Sequence, residues 1–227
     1  MRTIKTVAVI DDDDEAAETI IGALEDGSFE AFRQEARDSI EEIVDDIVKG
    51  SDAAVCDHRL RYGGFADITG ADLAARLVLR GHPTILVTQY LDQDADIAIR
   101  SYRPNLPVVL RREDADEPEE LREAFARCVV EITRGRKEDR IPQLTLLEVL
   151  SVEEINGAKV VDAVVHGWHS SNAVRFPMSL VRETDRDSVK PGDTLSAMTN
   201  LRTEDQVDLY FEDVKLAPAP DPNDGLE

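Results

Sequence analysis

The first 135 residues alternate between short, predominantly apolar runs and stretches with helical spacing. Lys5 to Ile10, Asp52 to Cys56, Thr84 to Val87 and Val108 to Leu110 are runs with too few polar positions to leave one face in water, as expected of strands covered on both sides. Between them, Ala16, Ala17, Ile20, Ile21 and Leu24 recur at helical intervals, as do Ile40, Ile43, Val44, Ile47 and Val48. Leu73, Ala74, Leu77 and Val78 mark a third helix, and Leu121, Phe125, Cys128, Val129 and Ile132 a last one. A weaker helix is expected over about Gln93 to Tyr102, and Ser28 to Glu35 reads as a partly polar strand suited to a sheet edge. Asp26-Gly27, Gly50, Gly81 with Pro83, and Gly135 punctuate the series. Five β-α units in one domain are expected over residues 1–135.

The rhythm then changes. Residues 136–141 form a charged linker, and from there the period becomes strand-like. Leu144 to Val152, Ala158 to Val165, Ala173 to Phe176, Thr194 to Met198 and Val207 to Val214 are the expected strands. Asn156-Gly157 signals a tight hairpin, and Lys190-Pro191-Gly192-Asp193 a turn. Residues 142–216 are therefore expected to form a small antiparallel β-barrel or sandwich. Residues 217–227, rich in proline and acid, are expected to be a disordered tail.

Charge narrows the partners. Forty-eight acids against 26 bases give a net charge of −22, which repels phosphate backbones and anionic lipid, so neither DNA nor a membrane is expected as a partner. Two cysteines, Cys56 and Cys128, cannot build a disulfide framework and suit a reducing compartment. The amino terminus lacks the apolar segment of a signal peptide, and no apolar run approaches the roughly 18 residues of a membrane span. A cytoplasmic protein is expected.

The candidate chemistry lies at the ends of the apolar runs. Val7-Ala8-Val9-Ile10 leads into Asp11-Asp12-Asp13-Asp14, Val55-Cys56 into Asp57, and Ile85-Leu86-Val87 into Thr88. In a parallel α/β sheet, ligands bind beyond the carboxyl ends of the strands. Asp11, Asp12, Asp57 and Thr88 are thus expected in one crevice. Three carboxylates that close repel one another, so one should have a raised pKa unless a cation joins them. An all-oxygen site suits Mg2+, beside which Asp57 would serve as a nucleophile toward a phosphoryl group. Simpler roles compete with these. Asp13 and Asp14 fit helix capping better than metal binding. Asp57 would also suit a turn before Gly63-Gly64, and Thr88 a strand end. His58 reads as a neighbour of the site and Cys56 as core.

Residues 1–135 resemble the CheY-like receiver domain of two-component response regulators. The resemblance rests on the acidic pair Asp11 and Asp12 after the first strand, Asp57 after the third and Thr88 after the fourth. Their separations, 45 residues from Asp12 to Asp57 and 31 from Asp57 to Thr88, are similar to those of the family. It implies a flavodoxin-like (βα)5 fold with parallel sheet order 2-1-3-4-5. It implies phosphorylation of Asp57, a Mg2+ ion held by Asp11, Asp12, Asp57 and the backbone carbonyl of Arg59, and a Thr88 hydroxyl that bonds the phosphoryl oxygen. A histidine kinase or other phosphodonor protein would be the upstream partner, with an unknown downstream protein and a homodimer as further expectations. One position departs from the family, which places a lysine, often followed by proline, at the end of the fifth strand. Here the chain reads Leu110-Arg111-Arg112-Glu113, and Arg111, 23 residues after Thr88, is expected to stand in for the lysine.

The β-rich segment carries no family signature. It lacks a helix-turn-helix, a Gly-rich phosphate loop, a nucleophile elbow and a zinc quartet. His166 and His169 have no further ligand to complete a metal site, and Trp168 and Phe176 suit either a binding lip or the core. No enzymatic centre is expected there. The expected function is an atypical response regulator that signals through protein contacts of the β-rich segment. A phosphorylation-independent adaptor, docking an ATPase or another effector through the receiver fold, is the alternative.

Overall fold

Continuous apolar runs can be buried only between two covering layers, and the central strands of the first sheet are arranged that way. In the computed structural model, described over residues 3–60, 64–65, 68–89, 97–155, 157–169 and 172–218, the chain divides into two compact units, Met1–Lys137 and Glu138–Glu227. The first contains β1 (Thr6–Ile10), α1 (Asp14–Asp26), β2 (Glu30–Arg33), α2 (Ile40–Gly50), β3 (Ala53–Asp57), α3 (Gly70–Leu79), β4 (Thr84–Thr88), α4 (Ile97–Arg100), β5 (Val109–Arg111) and α5 (Pro118–Arg134). The strands pair in parallel in the order β2-β1-β3-β4-β5, the flavodoxin-like order of a receiver.

Alternation along each strand feeds two cores. Val7, Val9, Val55, Val87 and Leu110 pack with Ile20 and Leu24 of α1 and Phe125 and Cys128 of α5. Ala8, Ile10, Cys56 and Leu86 pack with Ile43 and Ile47 of α2 and Leu73 and Leu77 of α3. Burying each such aliphatic side chain contributes about 1.5–3 kcal/mol. The polar strand β2 takes the sheet edge, where its pattern costs least. Helix starts follow capping chemistry. Asp13 accepts the Ala16 amide at 3.0 Å before α1, Ser39 the Glu42 amide before α2, and Thr69 the Asp72 amide before α3.

Most strand boundaries shift from those expected by a residue or two, and two of the differences in this unit have a visible cause. Strand β5 ends at Arg111 rather than Leu110, because Arg111 still lies in register with Thr88. Of the weak helix, the described part is α4 and ends at Arg100, where the chain tightens into a 3-10 turn at Arg103–Asn105 carrying Pro104. Residues 90–96 lie outside the described residues, as does most of the expected tail.

The second unit has a 3-10 turn at Glu138–Arg140, then β6 (Gln143–Ile155), β7 (Ala158–Val165), β8 (Ala173–Pro177), β9 (Thr194–Thr199) and β10 (Phe211–Leu216). They form one antiparallel sheet in the order β10-β9-β6-β7-β8. A flat sheet of five strands would separate its edges by about 19 Å. Instead Phe176 of β8 and Phe211 of β10 bring their ring centroids to 4.9 Å, so the sheet curls around its own core. The last strand starts at Phe211 rather than Val207. The Asn200 side chain accounts for this, because it donates to the Asp208 carbonyl at 3.0 Å and accepts the Tyr210 amide at 2.8 Å. Those backbone groups are thereby withdrawn from strand pairing. Phe176 is core, and Trp168 packs at its border with Nε1 donating to the Thr203 carbonyl at 2.8 Å. On the outward face of the central strand β6, Leu144 and Leu146 stay exposed.

Candidate functional site

Three parallel strands end on one crevice of about 220 Å³, lined by Asp11, Asp12, Asp13, Ala16, Asp57, His58, Arg59, Thr88, Gln89 and Arg112. Asp11 follows β1, Asp57 is the last residue of β3, and Thr88 the last of β4. One oxygen from each of Asp11, Asp12 and Asp57 lies within 4.8 Å of the others. In an octahedral oxygen site with ligands at ~2.1 Å, opposite oxygens are about 4.2 Å apart, so small side-chain adjustments suffice for Mg2+. The trio fits a hard divalent cation. Asp13 lines the crevice, but its carboxylate is the cap of α1, and Asp14 pairs with Arg33 on the surface.

The carboxylates are tied down by the local backbone. Asp11 Oδ1 accepts the Asp13 amide at 3.0 Å, and Asp57 Oδ2 accepts the Arg59 amide at 2.7 Å. Behind Asp57, the first residue of α3 leaves no room for a side chain. A Cβ on Gly70 would lie 1.6 Å from the Asp57 carbonyl oxygen, and the Gly70 amide donates to the His58 carbonyl at 3.0 Å. Glycine thus lets the helix start against the peptide that carries the central carboxylate.

Arg112, the neighbour of the expected Arg111, is the arginine past β5 that bonds this cluster. Arg112 Nη2 donates to Asp11 Oδ2 at 2.8 Å and to Asp57 Oδ1 at 2.6 Å. Arg111 is not among the residues lining the crevice. The pleat explains the difference of one residue. Asp11 continues the parity of Val7 and Val9, Asp57 that of Ala53 and Val55, and Arg112 that of Val108 and Leu110, all of which face the α1/α5 core. Arg111 has the parity of Val109, which faces the other side. The Thr88 carbonyl accepts the Arg112 amide at 3.0 Å and fixes where that side chain departs. Spacing from Thr88 selected the neighbouring Arg111, and period-two counting singles out Arg112 only once the register and facing of β5 are known.

Charge in the crevice is unevenly compensated. Burial, and then the charge of Asp11, hold the Asp57 carboxyl above its ordinary value, against the opposing pull of Arg112 and the Arg59 amide. Arg112 is held above its ordinary value despite burial, by the charges of Asp11 and Asp57 and its hydrogen bonds to both. Cys56, fully buried beside Asp57, has its thiol pushed far up by desolvation and is core. In the second unit, His166 lies 3.8 Å from Glu148 and His169 stacks edge-on to Trp168. Among the described residues, the Asp11, Asp12 and Asp57 trio is the cluster placed to hold a metal.

No protein-family model and no curated protein matches the sequence. Solved structures do. A protein assigned as a response regulator from Chloroflexus aurantiacus is 26% identical, covering 55% of this chain and 99% of its own, with a TM-score of 0.41. A response regulator receiver domain protein from Clostridium thermocellum is 18% identical over 57% of this chain and 97% of its own, at 0.43. A CheY-like receiver domain protein from Methanospirillum hungatei is 18% identical over 58% and 98%, at 0.42. These structural neighbours of the N-terminal part are response regulator receiver domains, and the β-rich unit lies outside what they match.

Proposed function

We propose that this chain is an atypical response regulator whose switch is phosphorylation of Asp57. The observation that carries this reading is the convergence of Asp11, Asp12 and Asp57 within 4.8 Å at the ends of β1 and β3, with a guanidinium bonded to the proposed acceptor. An oxygen of Asp57 attacks the phosphorus of a phosphohistidine or acyl phosphate. The bond from phosphorus to the donor breaks, and the leaving group takes the electron pair. Asp11, Asp12, Asp57 and the Arg59 carbonyl would hold Mg2+, which when bound neutralises charge building on the phosphoryl oxygens. Thr88 and Arg112 then engage the phosphoryl group, and new charge at the crevice biases the surface around it. The β-rich unit passes the state on through protein contacts, for which the exposed Leu144 and Leu146 of β6 provide apolar area.

A second reading has its own support. Arg112 already bridges Asp11 and Asp57, an arrangement that suits a receiver-shaped adaptor working without phosphorylation. Incubating the full chain with acetyl phosphate and Mg2+ and measuring intact mass separates the two. Gain of one phosphoryl group, lost in Asp57→Asn, supports the switch. No gain with acetyl phosphate, phosphoramidate or any histidine kinase supports the adaptor.

A further inference from the structure

An antiparallel sheet with one face on its core normally presents polar side chains on the other. The second sheet departs from that rule along its central strand. Six large apolar side chains are exposed among the described residues, and Leu144, Leu146 and Leu150 of β6 are three of them, at 72%, 45% and 48% of full exposure. Leu147 and Val149 point into the core, so Leu144 and Leu146 face outward, with Met198 of β9 opposite Leu144. Leu150 falls where the register breaks, between Val149 opposite Ala163 and Ser151 opposite Asp162. Such a bulge re-aims a side chain, and here the extra residue is a third exposed leucine. The same face carries Glu148, Glu153, Asp162 and Glu212 against Arg175 and Lys215. Both bases are already engaged, Arg175 with Asp162 at 2.7 Å and 2.8 Å and Lys215 with Asp213 at 2.7 Å. Glu148 stands in the stripe between Leu146 and Leu150, its side chain 56% exposed.

We propose that this outward face of β6 docks a basic amphipathic helix of a partner protein. This rests on the reading of the β-rich unit as the part that signals through protein contacts. Apolar side chains of the helix cover the leucines, and lysines or arginines along its border meet Glu148 and Glu212. The lengths agree, since Leu144 to Leu150 is about 20 Å of strand and about 13 residues of α-helix span that distance. A second copy of this chain fits less well, because it would set the same acids against one another. Three partly exposed leucines also fall well short of the ~800 Å² per partner of a standard interface. The net charge of −22 opposes a lipid surface or a nucleic acid.

The test is fluorescence anisotropy of a labelled synthetic peptide of about 14 residues, leucine on one helical face and lysine along its borders, titrated with the full chain in about 0.15 M salt. A peptide of the same composition in scrambled order reports charge attraction alone. The ordered peptide should bind roughly tenfold more tightly than the scrambled one, and Leu144→Ser combined with Leu146→Ser should erase that margin. Glu148→Lys should weaken the ordered peptide about threefold or more, and the scrambled one less. Equal affinity for the two peptides, or a margin that survives the leucine substitutions, overturns the proposal. So does a dimer in sedimentation equilibrium that the leucine substitutions dissolve, which gives the face to a second copy. The Trp168 fluorescence transition in urea reports whether the substituted second unit still folds. Should the double substitution unfold it, Glu148→Lys decides: selective weakening of the ordered peptide supports docking, and equal weakening of both overturns it. If Asp57 accepts a phosphoryl group while the two peptides bind alike, the docking surface fails alone. If the margin is present but Asp57 accepts no phosphoryl group, it is the switch that fails.

Discussion

Substituting alanine for Gly70 should damage the first unit out of proportion to one methyl group. The added Cβ would lie 1.6 Å from the Asp57 carbonyl oxygen, 2.7 Å from its carbon and 3.1 Å from the His58 Cα. All three are backbone atoms, so no side-chain tip can swing away. Relief requires moving either the end of β3 or the start of α3, and the Gly70 amide bond to the His58 carbonyl, 3.0 Å long, opposes both. Overpacking of this kind costs about 1–3 kcal/mol, and loss of the amide bond adds about 1, so a loss of about 2–4 kcal/mol is expected. Gly22→Ala is the matched control. It lies in mid-α1 with nothing within 4 Å of its Cβ, and should stabilise by about 0.5–1 kcal/mol. Urea unfolding of the full chain separates the units optically. The α-helices of the described residues lie in the first unit, and Trp168, the single tryptophan, lies in the second. Helical ellipticity should therefore lose stability in Gly70→Ala and gain it in Gly22→Ala. A Gly70→Ala helical transition within about 0.5 kcal/mol of wild type would refute the claim that α3 is seated directly on the Asp57 peptide.

Two carboxylates should respond to pH in opposite senses. Asp57 is held above its ordinary 3.8 by burial and then by Asp11, so the folded chain keeps its proton longer than the unfolded one. Its ionisation costs no stability below 3.8, costs progressively more as pH rises to the raised value, and costs the full amount above it. Urea midpoints of Asp57→Asn should therefore gain on wild type across that window; a difference that is flat from about pH 3 to 7 would contradict the raised value. Asp162 is the reverse case. Arg175 donates to it at 2.7 Å and 2.8 Å and Ser151 at 2.9 Å, and these bonds outweigh burial to hold its carboxyl below the ordinary value. Its contribution is present above 3.8 and is lost as pH falls through the depressed value. Asp162→Asn should cost about 1 kcal/mol at neutral pH by Trp168 fluorescence, vanishing in strong acid, and equal stability at neutral pH would dismiss the bidentate pair.

Legibility differed between the two units for physical reasons. The runs Val7 to Ile10 and Ala53 to Cys56 declare themselves because a strand covered on both faces has no position where a polar side chain is cheap. Asp13 was readable as a cap because capping involves only neighbours three residues apart. The start of β10 was not, because it depends on Asn200 reaching the backbone of Asp208 and Tyr210 across a loop. The curl that brings Phe176 to Phe211 was equally hidden, since the pair spans the full width of the sheet.

By itself the sequence determined the order of strands and helices in the first unit and the placement of Asp11, Asp12 and Asp57 at strand ends. These follow from local periodicity, which a chain carries in its own spacing. Tertiary structure alone decided which arginine faces the carboxylates and which glycine supports them. Asp11 and Arg112 are 101 positions apart, and whether they meet depends on the pleat and register of separate strands. A shift of one residue turns a side chain to the opposite face of the sheet, so spacing that is nearly right still names the neighbouring residue.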